Sequence, residues 1–172
     1  LRFDHDFSFV GSIEDGKLSE GKTSATSNHA MAVVGFRTKR GEQVNIQVAS
    51  SFISDEQAQR NLKEVEGKTF DEVKSEGRKE WNNILGRIEV EDDNIDHLHT
   101  FYSCLYRSVL FPRSFYEFDE QGNPIHYSPY NGKVLSGYLF TDTGFWDTFR
   151  SLFPLLNLVY PSMNEKMQAG LV

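Results

Sequence analysis

The sequence predicts a multidomain chain of α and β structure, in which the end of an antiparallel sheet gives way to helices. Apolar residues first occur in short runs and alternations, as in Val44, Ile46 and Val48 set between Asn45, Gln47 and Ala49. From Ser54 the spacing changes to the helical rhythm. Two S/T-x-x-E/Q capping boxes mark that change, Ser54 with Gln57 and Thr69 with Glu72, a pattern that satisfies orphan amides at helix starts. With 172 residues, 38% of them hydrophobic, the chain has enough apolar surface to bury a sizeable core.

The strand region holds Phe3, Phe7 and Phe9, then Met31 to Phe36, then Val44 to Val48. The last two runs are expected to form a hairpin through Lys39-Arg40-Gly41-Glu42, and the polar stretch Gly11 to Asn28 to separate the first run from it. Three strands cannot make a sandwich of their own, so they are expected to be the tail of a larger antiparallel sheet.

Two helices should follow Ser54, the second with Phe70, Val73, Trp81, Ile84 and Leu85 on one stripe and Gly86 as its stop. Arg87 to Glu91 alternates like a short strand. A third helix opens near Asp93 or Asn94 and carries Ile95, Leu98, Tyr102, Leu105, Val109 and Leu110 up to Pro112. Pro112 to Thr143 has no strong period and reads as a long, aromatic-rich folded loop with a hairpin at Asp119 to Asn123. Helices then resume, with Asp142 or Thr143 as a cap, Pro154 kinking or shortening its helix, and Pro161 opening the next. That last helix is expected to stop without a Gly cap, and both chain ends read as cuts.

Composition narrows the function. A net charge of -7 disfavours nucleic acid and anionic membrane surfaces, which require a basic face, and suits a neutral partner. Cys104 is the only cysteine, so a disulfide within the chain is excluded; its apolar surroundings predict a plain buried thiol. No apolar run reaches the ~18 residues of a membrane span. Aromatics at 13% could stack on sugar rings, although buried aromatics are the commoner case.

Trp146-Asp147 lies at a helix mouth directly after the long loop. A Trp face stacks on the apolar face of a pyranose, and an ionised Asp accepts two hydroxyl hydrogen bonds. The competing reading makes Asp147 a dipole-favoured residue and Trp146 a core residue. Arg113 and Arg150 either support an acidic site or pair with structural carboxylates. The candidates for acid and base are Asp142, Asp147, Glu117 and Glu165, but none is persuasive; turn chemistry explains Asp119 at least as well as a site role does, and Glu165 reads as a solvated or dipole-favoured helix residue. His97 and His99, two apart on a helix, point to different sides and do not suit a shared metal site.

The run Thr141-Asp142-Thr143-Gly144-Phe145-Trp146-Asp147-Thr148-Phe149-Arg150-Ser151-Leu152-Phe153-Pro154-Leu155-Leu156, with Tyr160-Pro161-Ser162-Met163-Asn164-Glu165-Lys166-Met167, closely resembles the bacterial α-mannosidases of glycoside hydrolase family 92. Phe52-Ile53-Ser54 with Ala58, Asn61 and Leu62, and Trp81-Asn82-Asn83-Ile84-Leu85-Gly86-Arg87-Ile88-Glu89-Val90, agree with it. The resemblance runs from about Ala30 to Val172.

It implies the C-terminal part of a β-sandwich in residues 1–53, linker helices and a short strand in 54–92, and the first helices of an (α/α)6 barrel catalytic domain in 93–172. The implied enzyme is a calcium-dependent, inverting exo-α-mannosidase acting outside the cytoplasm, at the cell surface, in the periplasm or secreted. Its implied partners are mannose-containing glycans such as N-glycans or mannan, together with the remainder of the parent chain. In such enzymes calcium contacts the terminal mannose, a glutamic acid protonates the leaving group and an aspartate activates water. Those two carboxylates are expected beyond Val172, so no catalytic residue is expected in this chain, and no metal ligand is identified in it. Trp146, Asp147 and, more weakly, Arg150 are the substrate contacts it implies. Phe111 departs from the family, where His is usual before Pro-Arg. Two rivals stand beside this reading: a non-catalytic carbohydrate-binding or domain-docking segment, and a different (α/α)6 hydrolase or phosphorylase.

Overall fold

A computed structural model describes residues 1–171. It divides into two compact units, Leu1–Ala49 and Ser50–Val172.

In the first unit, β1 (Arg2–Phe3), β2 (Phe9–Glu14), β3 (Lys17–Glu20), β4 (Ala30–Gly35) and β5 (Ile46–Gln47) form two antiparallel sheets, β3-β2-β4 and β1-β5. The stretch expected to be a polar separator instead holds most of β2 and all of β3. They turn through Asp15 (φ 48°) and Gly16 (φ 82°), and two successive positive φ values are what a tight two-residue hairpin requires. Lys39 to Glu42 does turn, with Glu42 N–H donating to the Lys39 carbonyl at 3.1 Å, but the runs it joins do not pair. Six residues of β4 are taken by β2, and β5 pairs with β1. Asp4 continues that second pairing through its side chain, accepting from Asn45 N–H at 2.9 Å and Asn45 Nδ2 at 2.6 Å. Phe3, Phe7 and Phe36 gather with ring centroids 5.2 to 5.5 Å apart.

In the second unit, α1 (Asp55–Leu62) leads through a 3-10 turn (Lys63–Val65) to α2 (Phe70–Leu85) and α3 (Ile95–Ser108). Both predicted caps hold their helices. Ser54 accepts from Gln57 N–H, and Thr69 with Glu72 makes the full reciprocal box. Gln57 does not reach back to its cap: its side chain is buried and donates to the Phe118 carbonyl at 2.8 Å. The α2 stripe is covered only toward its end, and there only in part. Ile84 and Leu85 pack against the core, while Phe70 is exposed and Trp81 meets Tyr106 of α3 in a tilted pair with ring centroids 4.7 Å apart. Arg87 to Glu91 is not a strand, because the Tyr102 hydroxyl donates to the Ile88 carbonyl and accepts from Val90 N–H, taking groups a ladder would need. Cys104 is exposed, contrary to the expectation of burial; it sits one residue off the stripe that ends in buried Leu105.

The long loop is a small antiparallel assembly. β6 (Arg113–Ser114) pairs with β10 (Phe140–Thr141), and β7 (Glu117–Phe118), β8 (Pro124–Tyr127) and β9 (Val134–Ser136) form a sheet in that order, with the predicted hairpin at Asp119 to Asn123. Three helices follow: α4 (Phe145–Thr148), α5 (Leu152–Val159) and α6 (Pro161–Ala169). Pro154 lies in the first turn of α5, where its missing N–H has no intrahelical acceptor to lose, so the helix runs on through it.

The core of this unit gathers Leu105, Phe140, Leu156, Tyr160 and Met167, with Leu156 fully buried. Tyr160 spends its hydroxyl on the Ile84 carbonyl at 3.0 Å, which satisfies a buried polar group and ties α2 to the last helices. Gly170, contrary to the expected lack of a Gly cap, closes α6. It also permits a close approach: a Cβ there would lie 2.7 Å from Phe140 Cδ2 and 3.1 Å from the Tyr138 backbone.

Two outcomes follow from this packing. Gly170→Ala overpacks a buried contact and should cost about 1–3 kcal/mol of stability in the full-length protein; an unchanged denaturation midpoint would show that Phe140 is not seated against this glycine.

The second concerns the first unit, where the hydrogen bond to Asp4 raises the His5 pKa above 6.5 and bonds from His5 and Asn45 lower Asp4 to about 2. The His5 contribution to stability is therefore present below its unfolded pKa and lost as pH rises through the higher folded value. That of Asp4 is present above its unfolded pKa and lost as pH falls toward 2. NMR titration should find both shifts, and ordinary values would break the pair.

Candidate functional site

Position 140 seats the segment that carries the expected sugar contacts. Phe140 pairs with Ser114, buries its ring, and donates its N–H to the Gly170 carbonyl at 3.0 Å. Two residues on, Asp142 stands at φ 63° and turns the chain out of β10. Arg113, opposite Thr141 in the strand pairing, reaches the Asp142 carboxylate with Nε at 2.5 Å and also through Nη2. That guanidinium, helped by the Thr141 hydroxyl, lowers the Asp142 pKa.

The cap of α4 is Gly144, with no side-chain cap, so neither Asp142 nor Thr143 caps this helix. Asp142 cannot do so while its carboxylate is held by Arg113. The single turn is closed by Asp147 and Thr148 N–H groups donating to the Gly144 carbonyl at 3.2 Å, and by the Thr148 hydroxyl at 2.9 Å. Ser151 Oγ donates to the Asp147 carbonyl at 3.1 Å and ends the turn.

On this turn Trp146 is 75% exposed, which removes the reading of it as a core residue of this chain. Asp147 is exposed as well, and its carboxylate has no hydrogen-bond or ionic partner among the described residues. The Arg150 guanidinium carbon lies 4.8 Å from the centroids of both Trp146 and Phe149, a cation–π arrangement that orders an otherwise mobile side chain. Phe149, also exposed, lies beside Trp146 with ring centroids 6.4 Å apart, while Phe145 turns to Phe153 of α5 at 6.2 Å. The three expected contacts thus stand together on one helical turn and its exit. The ring of Phe149 was not singled out from sequence, although its place three residues after Trp146 puts it on the same helical side.

The remaining candidates separate from this group. Glu117 holds the start of the unit together: Oε1 accepts from Ser51 Oγ at 2.9 Å and Phe52 N–H at 2.8 Å, and Oε2 from Asn61 Nδ2 at 2.6 Å. Asp119 accepts from Asn123 N–H at 2.8 Å and Gln121 N–H at 2.9 Å within its turn, which lowers its pKa. Glu165 is exposed on α6. His97 meets Asp92 at 3.0 Å, and His126 meets the Gly137 carbonyl at 2.9 Å. Among the described residues no three His, Cys, Asp or Glu side chains gather into a group that could hold a metal ion, so no ligand to the implied calcium is assigned here. No helix among them is long and apolar enough to cross a membrane.

The turn thus sets exposed aromatic rings, Trp146 and Phe149, beside the exposed carboxylate of Asp147. The family model for the glycosyl hydrolase family 92 catalytic domain matches residues 57–172, and the chain belongs to that family. Among solved structures it is similar to an inverting family 92 mannosidase from Bacteroides thetaiotaomicron, with 46% identity and a TM-score of 0.90 over 96% of this chain and 22% of that one. A second family 92 α-mannosidase from the same organism, solved with mannoimidazole, matches at 25% identity and a TM-score of 0.69 over 90% of this chain and 21% of that one. The same enzyme without that compound gives 25% identity and 0.73, over 98% of this chain and 24% of that one. The chain therefore spans about a fifth to a quarter of the length of these relatives. No curated protein matches it.

The arrangement around Glu117 makes a direct prediction. Glu117→Gln turns one acceptor into a donor facing protein donors and should destabilise the full-length protein by about 1.5–3 kcal/mol, the range for hydrogen bonds to charged groups. A denaturation midpoint equal to wild type would remove Glu117 from its structural role and return it to the candidates for chemistry.

Proposed function

We propose that this chain is part of an inverting exo-α-mannosidase that removes terminal α-linked mannose from glycans, N-glycans and mannan among them. In this reading the turn around Trp146 forms part of the sugar pocket. Family membership supports the activity, and so do two relatives that are themselves mannosidases. The observation that carries the site is the Asp147 carboxylate, exposed and unpartnered beside a largely exposed Trp146. A residue kept as a cap would reach a backbone N–H, as Glu72 does at 2.7 Å from Thr69 N in α2.

Trp146 would stack on the apolar face of the mannose ring and Asp147 would accept from its hydroxyls. Arg150, lying over Trp146 and Phe149, would hold that platform and add a donor at its rim. Inversion needs an acid and a base about 6.5 to 9.5 Å apart across the scissile bond. Glu117, Asp119 and Asp142 are committed to structural partners, so both groups are assigned to other parts of the parent chain. Calcium, when bound, would polarise and distort the terminal sugar, with ligands likewise drawn from elsewhere in the parent. The first residues belong in this reading to the end of a β-sandwich (1–53), followed by linker helices (54–92) and the opening helices of an (α/α)6 barrel (93–172). The enzyme would act outside the cytoplasm, where its glycans are found.

Asp147→Ala in the full-length protein tests the site. Loss of charge-assisted contacts worth about 1.5–3 kcal/mol each predicts at least a roughly tenfold fall in kcat/KM on a terminal α-mannoside, with Asp147→Asn intermediate. Normal kcat/KM together with a lowered melting temperature would end the binding role, and release of glucose in place of mannose would redirect the reading to a different (α/α)6 enzyme.

A further inference from the structure

We propose that Arg113 and Asp142 act as a positioning pair, locking the direction in which the chain leaves β10 and so the placement of Trp146 and Asp147 against the sugar. This rests on the reading of those two residues as sugar contacts. Upstream of the pair the chain is already immobile, with Phe140 buried, paired to Ser114 and bonded to Gly170. Downstream, α4 is a single turn with no side-chain cap, followed through Ser151 and Phe153 by α5. The direction of that turn is therefore set at the residues between, and Asp142 is where the backbone changes course.

Asp142 is one of two non-glycine residues with positive φ among the described residues. The other, Asp15, is accounted for by the β2–β3 hairpin that it closes with Gly16. No hairpin explains Asp142. Left-handed backbone at a non-glycine residue persists only where its surroundings hold it there, and Thr143 next to it has a buried hydroxyl without a hydrogen-bond partner among the described residues. The hold comes from Arg113, which the strand register sets opposite Thr141 and which puts two donors of its planar fork on one Asp142 oxygen. The side chains of Arg113 and Asp142 are 63% and 41% exposed, so the pair adds little to stability. Its consequence is geometric: it selects one exit for the segment carrying the site.

Kinetics of the full-length protein on a terminal α-mannoside test this with Arg113→Met, Asp142→Asn, Asp142→Gly and the double variant Arg113→Met with Asp142→Asn. Each single variant should lose about tenfold to a hundredfold in kcat/KM, the range expected when a substrate contact is misplaced by an ångström or less. Melting temperatures should stay close to wild type. The double variant should be no worse than about threefold beyond the poorer single one, because residues that act through one interaction do not add. Arg113→Lys, with a charge but no fork, should recover only part of the loss.

Fully multiplying losses would mean that Arg113 or Asp142 touches substrate independently. Wild-type behaviour of Asp142→Gly would mean that the backbone torsion alone suffices. Either result overturns the pair, as would near-normal kcat/KM in both single variants. Loss in Asp147→Ala without loss here sinks only this proposal, whereas full activity of Asp147→Ala removes the reading on which it rests.

Discussion

The close seating of Phe140 on Gly170 is the constraint on which the second unit depends. One residue supplies a buried ring to the core, a strand pairing to Ser114 and a backbone bond to the end of α6. Elements far apart in sequence meet there, and only a residue without a side chain at 170 lets them meet so closely. Tyr116 and Tyr138 pack on the same ring, at 5.5 and 6.5 Å between centroids, so the aromatic-rich loop becomes part of the core at its base. The exposed turn that follows can be small and weakly capped because its point of departure is rigid. Sites carried by short segments commonly have this arrangement: packing supplies rigidity next door, and the binding residues remain free of it.

The carboxylates of the unit divide by what they bind within the protein. Glu117 and Asp119 accept protein donors and hold turns and junctions, and Asp142 is neutralised by Arg113. Glu72 belongs with them through its capping box. Asp147 is the exception beside the aromatic surface. A carboxylate that spends its lone pairs on backbone amides has little left for a ligand, so internal satisfaction is a physical way of sorting structural acids from candidate sugar contacts.

Local chemistry made much of the fold legible in the sequence. Helix starts at Ser54, Thr69 and Asn94, the stop at Gly86, the hairpin at Asp119 to Asn123 and Pro161 at the head of α6 all depend on neighbours a few residues apart, which a linear reading sees directly. The hairpin at Asp15-Gly16 depends on the same kind of signal and was available in the dipeptide itself, but the polar character of the stretch masked it. The family was legible too, because the block from Thr141 to Met167 is long and specific, and the family match agrees with it.

What remained for tertiary structure to decide were choices between distant partners. Nothing within Val44 to Val48 tells whether that run pairs with β4 or with β1, since alternation suits either antiparallel partner. Arg87 to Glu91 alternates like a strand, yet a tyrosine hydroxyl on α3 takes its backbone groups. Cys104 lies in an apolar run and is nevertheless exposed, one residue away from buried Leu105. The sequence by itself determined the family, the helix starts at Ser54, Thr69 and Asn94, and the block that carries the candidate sugar contacts. The fold decided that Glu117 is a structural acid, that Arg113 belongs to Asp142 across 29 residues, and that Asp147 is left unpartnered. Hydrogen bonds and ion pairs act over about 3 Å in space, and separation along the chain does not report that distance until the strands are in register.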